Sequence, residues 1–416
     1  MIKHLLRLFC VLSVLWMMTA CGSVTPSVTV SPQSTATVAP TNTVVIPTAT
    51  LAPTATLAPT ATLTPTAPPT TAYWSQPLYF LSGGMIWLLL PGAGVPEPIA
   101  TEGEVDCMDV WSGDNRIAYG TTDGRVYSWM PGQGTVLLHN VQEMADAPVK
   151  IHNVSWSSDG TKLAYTVAHT SGKMTRGYPS HPSGLWVFDM QAQWFQWLLS
   201  NHYATEDNPD VIQLRTILKP SWSPDGTALL LRYGYFESNG HFIFEPMDTP
   251  LDETYLHDLA KNGWGDSFWT RDGQGVLISA QYYGVFSDLV YVSRLTKESK
   301  SLIVGETEGV YVADAQELSE GIVFLSSNRL YLGNLTEQGF QYAPVGPASL
   351  CNAHVTSHVE WDSSGQWGVL VCKQGAGDGS PEEVHVISLA GENFDITSYL
   401  AALPAVPLAV LWGENQ

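Results

Sequence analysis

Trp156-Ser-Ser-Asp159-Gly160-Thr-Lys-Leu-Ala-Tyr165 ends one strand at a tryptophan, turns through Asp-Gly and returns as an apolar strand. The same phrase recurs as Trp222-Ser-Pro-Asp225-Gly226-Thr-Ala-Leu-Leu-Leu231, with weaker copies from Trp111, Trp269 and Trp361 and a last, cut-off one at Trp412. The separations are 45, 66, 47, 92 and 51 residues. The longest is two steps of about 46, which predicts a worn copy near Ala315, where Ala315-Gln-Glu-Leu-Ser-Glu-Gly321 precedes the strand-like Ile322-Val-Phe-Leu325. Periods in the forties with several short strands per unit specify a β-propeller.

Each unit reads as four strands. Second strands such as Lys162-Leu-Ala-Tyr165 and Gly321-Ile-Val-Phe324, and third strands such as Leu185-Trp-Val187, Thr254-Tyr-Leu256 and Arg329-Leu-Tyr331, both count seven. Their Val, Leu, Ile and aromatic content suits half-buried strands. The unit from Tyr73 to Ala100 lacks a tryptophan-bearing first strand, while Leu408 to Gln416 is a first strand with nothing after it. Joined, they complete one blade and leave no open edge. The expectation is therefore an all-β, seven-bladed propeller of four-stranded antiparallel blades closed by the C-terminal strand, with six or eight blades as the alternatives.

The Trp-Ser-x-Asp-Gly-x-x-Leu-x-Tyr pattern resembles the repeat of TolB-type, WD-repeat-like propellers over residues 73 to 416. That resemblance implies a binding or scaffolding domain; some relatives sit beside a peptidase domain, and TolB itself has six blades.

The first 72 residues differ. Met1 to Arg7 is a short basic segment, Leu8 to Met18 is apolar, and Met18-Thr-Ala-Cys21 resembles the lipobox of bacterial lipoproteins. The apolar run is too short for a stable membrane-spanning helix. The resemblance implies a signal peptide over 1–20, acylation of Cys21 and a membrane-anchored extracytoplasmic protein at the cell envelope or surface. Residues 21–72 form a Thr/Pro-rich linker in which Pro47, Pro53, Pro59 and Pro65 recur every six residues. Such a disordered stalk cannot bury a core and would reach on the order of 150 Å at about 3.1 Å per residue.

Without Lys3 and Arg7 the chain keeps 16 basic residues against 39 acidic ones, a net charge of −23. No Lys/Arg run survives, which argues against nucleic acid. Outside the leader, Cys21 is the acylation site and Cys107, Cys351 and Cys372 remain. A Cys351–Cys372 bridge and buried free thiols both stay open.

No Gly-x-Ser-x-Gly, His-Glu-x-x-His or P-loop motif is present. The Asp-Gly pairs read as hairpin turns and the repeated tryptophans as core. Neither a catalytic residue nor a cofactor is expected, so the reading is a non-catalytic binding module for a protein, peptide or glycan. Its ligand side would be the face carrying the second-to-third and blade-to-blade connections. Three stretches exceed the repeat there: Val167 to Gly184, Ser200 to Pro220 and Gly234 to Thr249. The candidate contacts are His169, Arg176, Tyr178, His181, His202, Tyr203, Asp207, Tyr235, Phe236 and His241, with Tyr282 and Tyr283 from the next blade. The histidines have no metal-site spacing, and no metal is expected. Cys351-Asn-Ala-His354 and His358 are expected to lead into a strand without a ligand role. The alternative is a glycan-active hydrolase or lyase using carboxylates at the channel mouth, with Asp207, Asp210, Glu237 and Glu245 nearest.

Overall fold

The computed structural model describes residues 74–413 except 146, 171–182, 206–207, 235–238, 246–255, 261–264, 282–285, 352–354, 374–382 and 406. Seven four-stranded antiparallel sheets form the blades. Blade one sets Ala409–Trp412 inside Leu78–Ser82, Met85–Leu89 and Glu97–Pro98. The inner strands of blades two to seven are Val105–Trp111, Val149–Trp156, Thr216–Trp222, Ser267–Trp269, Ala313–Glu317 and Val355–Trp361. Each hands on to three strands of its own sheet, as expected from the repeat.

Packing closes the ring. There are seven hydrophobic clusters among the described residues, one for each pair of adjacent blades. The cluster between blades seven and one sets Val369, Val384, Val386 and Ile396 against Leu78, Phe80, Val410 and Trp412. The two ends of the chain are thus held by core as well as by strand pairing, with Leu78 opposite Trp412 and Leu81 opposite Ala409.

At three of the repeat tryptophans the indole is a latch between blades. Trp222 Nε1 donates to Ser155 O at 3.0 Å, Trp269 Nε1 to Ser221 O at 3.0 Å, and Trp412 Nε1 to Glu360 O at 2.8 Å. Each acceptor is the residue just before the preceding blade's own tryptophan, so in these three the side chain fills the apolar interface and satisfies its buried N–H, whereas Trp111 Nε1 donates to Ser158 O in the next blade's turn at 3.1 Å. In blade six the inner strand ends at Glu317, which therefore holds the anchor position two residues beyond Ala315. Its carboxylate accepts from Arg271 N at 2.9 Å in the preceding blade's turn, while Ala315 is buried.

The Asp-Gly turns are organised by the aspartate. Asp159 Oδ1 accepts from Ser157 Oγ at 2.7 Å and Thr161 N at 3.0 Å, and Gly160 takes the left-handed conformation at φ 66°. In blade seven the roles are exchanged: Asp362 stands where Ser157 does and caps Gln366 N and Trp367 N, and Ser364 stands where Asp159 does. The degenerate copy keeps the turn with the same two chemistries reversed.

Blade four departs from the sequence reading. Its third strand is Asn239–Phe244 and its fourth is Leu256–Ala260, so Leu256 belongs one strand further out than expected. A four-residue connection, 235–238, joins the second and third strands, and the long excess, 246–255, joins the third and fourth. By the alternation of antiparallel strands that excess leaves on the side of the Asp-Gly turns. The stretch between blades three and four contains a hairpin, His202–Thr205 paired with Asn208–Leu214. Cys351 and Cys372 are disulfide-bonded and Cys107 is a buried thiol.

Candidate functional site

Five of the seven inner strands carry a β-bulge near the same level, above the tryptophan. The register breaks fall at Val105/Cys107, Ile151/Asn153, Leu218/Ser221, Ala313/Gln316 and Thr356/His358. A bulge leaves an extra residue unpaired and re-aims its side chain. The extra residues include Asp106, His152, Lys219 and Asp314, and the last two have positive φ of 44° and 49°. That conformation is uncommon for residues other than glycine and concentrates at functional positions.

These side chains meet within the ring. Lys150 Nζ of blade three pairs with Asp106 of blade two at 2.9 Å, and His152 lies 3.7 Å from the same carboxylate. Lys219 Nζ of blade four pairs with Asp266 of blade five at 2.6 Å, with Arg232 at 3.5 Å from the same oxygen. His358 of blade seven contacts Asp314 of blade six at 2.8 Å through Nδ1 and its own blade's Glu360 at 3.0 Å through Nε2. Two further interactions skip a blade. Phe268 of blade five lies nearly parallel to the His358 ring, 6.3 Å between centroids, and Asp109 of blade two feels the charge of Glu360 of blade seven. Only the central channel lets them meet.

The electrostatics divide this lining into two kinds of group. Burial works against the charged His358 ring, but the carboxylates of Asp314 and Glu360 outweigh it and hold the imidazole cationic well above its ordinary range. Its side chain is still 43% exposed, because it faces the lumen. Asp109 behaves oppositely: burial, with the charge of Glu360, pushes its carboxyl up to about 7 although Trp156 N and Val110 N both donate to it.

The unfolded aspartate titrates near 4, so below that pH both states are protonated and Asp109 carries no penalty. As pH rises from 4 to 7 the unfolded chain alone loses the proton, and folding loses stability. Asp109→Asn removes that dependence and one of the two hydrogen bonds. Denaturant titrations should show the variant's stability relative to the parent rising by about 2 kcal/mol between pH 4 and pH 8, whatever the offset at pH 4. A pH-independent difference would show that Asp109 is ionised throughout.

Of the residues singled out from sequence, two have described side chains. His169 ends the second strand of blade three, opposite Val149, and is half-buried. His241 lies within the third strand of blade four, fully buried, with Nδ1 2.8 Å from Ser267 Oγ and a ring that burial holds neutral, down to about 4. It is therefore no loop contact: the strand begins at Asn239, and Phe242 and Phe244 beside it are core. His202 and Tyr203 fall in the hairpin, where only the backbone is described. Arg176, Tyr178, His181, Asp207, Tyr235, Phe236, Tyr282 and Tyr283 lie outside the described residues.

Among the proposed channel acids, Glu245 is corrected. It follows the third strand of blade four on the side of the Asp-Gly turns and is tied to Arg294 at 2.5 Å and Lys297 at 3.4 Å. His358 does lie in a strand, as expected, but its ring has the partners given above. No helix of the described residues is long and apolar enough to cross a membrane.

No protein-family model matches the sequence, and no curated protein matches it. Solved structures do. A puromycin-hydrolyzing peptidase of Mycobacterium tuberculosis superposes with a TM-score of 0.51 at 13% identity, over 81% of this chain and 55% of that one. A prolyl endopeptidase gives 0.49 at 14% identity over 70% of this chain and 42% of its own, and TolB from Acinetobacter baumannii 0.45 at 10% over 82% and 67%. The chain thus spans about half the length of the two peptidases. At these identities the likeness is one of fold.

Proposed function

We propose that this chain is a lipid-anchored extracytoplasmic propeller that captures a protein, peptide or glycan at the upper mouth of its channel without transforming it. The observation that supports this most is the set of polar bulges near one level of the inner strands, with Asp106, His152 and Lys219 partly exposed and a buried Asp314 behind the exposed ring of His358. The second strands of blades three and four end on the same side, and the sequence that follows them there contains Arg176, Tyr178, His181, Tyr235 and Phe236. A rigid ring with a charged throat, and with aromatic residues in the sequence of the adjoining connections, suits an extended ligand better than a small one.

The test is capture by the full chain on glycan and peptide arrays. Lys219→Ala and the Tyr235→Ala/Phe236→Ala pair should each weaken capture about tenfold or more, with melting temperature nearly unchanged. Capture that survives both would remove the upper mouth from consideration. Anchoring has its own check: Cys21→Ser should release the protein to the soluble fraction or leave it unprocessed, and unchanged membrane retention would refute acylation.

A second reading, glycan cleavage by hydrolysis or elimination, is favoured by one observation. Asp109, with its carboxyl pushed up to about 7, is an acid able to hold a proton at neutral pH within electrostatic range of a second carboxylate, Glu360. Shortened glycans after incubation with the parent, and intact ones with Asp109→Asn, would establish it.

A further inference from the structure

Blade seven holds a second cluster, away from the channel acids. Cys372 of its second strand is the register partner of Glu383 in the third, and His385 follows two residues later on the same face. The Cys372 sulfur, a Glu383 carboxylate oxygen and a His385 ring nitrogen lie within 4.8 Å of one another. Cys351, disulfide-bonded to Cys372, adds a fourth donor atom. Asn328 holds Cys351 by both backbone groups, accepting from its N at 3.1 Å and donating to its O at 2.8 Å.

The orientation of His385 is decided by its neighbours. Asn393 Nδ2 donates to Ser349 O and Leu350 O at 3.2 and 3.4 Å, which turns the amide oxygen of Asn393 toward His385 Nδ1 at 2.8 Å. An amide oxygen only accepts, so Nδ1 carries the hydrogen and Nε2 faces Glu383 Oε2, 3.2 Å away. A lone pair then points at a carboxylate, and a proton or a metal cation must stand between them. Donation of the far ring nitrogen to a fixed oxygen is how metal-ligating histidines are held.

We propose that Cys351, Cys372, His385 and Glu383 form a redox-gated Zn²⁺ site. A dithiol reductant passes two electrons and two protons to the disulfide, is itself oxidised to a disulfide, and leaves two thiols. Zn²⁺ then displaces both thiol protons to solvent and takes two sulfurs, His385 Nε2 and one Glu383 oxygen. In the reverse direction a disulfide oxidant accepts two electrons from the thiolates and two protons from solvent, the Cys351–Cys372 bond re-forms and the ion leaves. Two thiolates select zinc over calcium or magnesium. Tetrahedral zinc with bonds of about 2.0–2.3 Å sets its donors roughly 3.3–3.8 Å apart, so the Cys372, Glu383 and His385 donors need to close by up to about 1 Å while the two sulfurs, once their bond is broken, move apart to that separation. Cys351, Cys372 and His385 are nearly inaccessible to solvent, which would shield the bound ion, and the partly exposed Glu383 gives it a way in.

The full chain is reduced with dithiothreitol, at the lowest denaturant concentration that alkylation and mass spectrometry require to find both cysteines open, then refolded without reductant under nitrogen. Titration with zinc against a chromophoric chelator should give one tightly held ion per chain. Cobalt in its place should show thiolate-to-metal charge transfer, and reoxidation should release either ion. His385→Gln, whose fold is checked first in the disulfide form, should weaken zinc binding at least a hundredfold, and Asn393→Ala ten- to a hundredfold. Reduced parent that holds no more zinc than Cys351→Ser/Cys372→Ser, or oxidised parent that holds it equally well, would overturn the site.

Discussion

Deleting Leu408–Gln416 is expected to leave a protein that aggregates or melts far below the parent. The lost strand pairs with Leu78–Ser82, all five of whose residues are buried. Its removal turns a paired, covered strand into an exposed apolar edge. Val410 and Trp412 leave the cluster between blades seven and one, and the latch from Trp412 to Glu360 O goes with them. Loss of a buried tryptophan alone costs about 3–5 kcal/mol, a large part of the total stability of an ordinary domain. Trp412→Ala, which keeps the backbone pairing, separates the two contributions and should retain soluble protein with a lowered denaturation midpoint. A deletion variant as stable as the parent would mean that the ring does not depend on this strand.

The same split blade shows how much of the architecture can be read without coordinates. Blade count, closure and the buried role of the repeated tryptophans follow from spacing and turn chemistry, which are local. Blade four misled because a third strand containing His241 and a glycine reads as a polar loop, and its burial depends on neighbours distant in sequence. The channel lining escaped for a related reason. Counting three residues back from the anchors of blades three, four, five and seven gives Asn153, Lys219, Asp266 and His358, and back from Glu317 gives Asp314, whereas Trp111 and Trp412 give Met108 and Ala409. The row is polar in five blades, mixed in type and apolar in the other two, and anchoring blade six at Ala315 shifts it by two residues and hides Asp314. That row was the available signal. Which carboxylate faces which cation, and that Phe268 reaches His358 across the opening, depend on ring geometry that no local pattern encodes.

Arg294→Ala is the second large effect, and it separates the face that carries stability from the face proposed to bind. The arginine follows the third strand of blade five and reaches back to blade four on the Asp-Gly side. It donates to Glu245 at 2.5 Å, to Asp225 at 2.9 Å and to Thr227 Oγ1 at 2.7 Å, and its guanidinium lies 5.4 Å from the centre of the Trp269 ring. Only 15% of the side chain is exposed. Removing it leaves Glu245 with Lys297 alone and uncovers a repeat tryptophan, for an expected loss of about 2–3 kcal/mol after allowance for the exposure of Asp225. Burial opposes ionisation of Asp225, but its hydrogen bonds to Ser223, Thr227 and Arg294 hold its carboxyl below the ordinary range. A lowered folded value contributes above the unfolded value near 4 and fades as pH falls, so the cost of Arg294→Ala should shrink in acid. Arg294→Lys should recover little, because one ammonium cannot span both carboxylates. Array capture per folded molecule should stay at the parent level in both variants. Loss of capture at full stability would place the ligand on the Asp-Gly side instead.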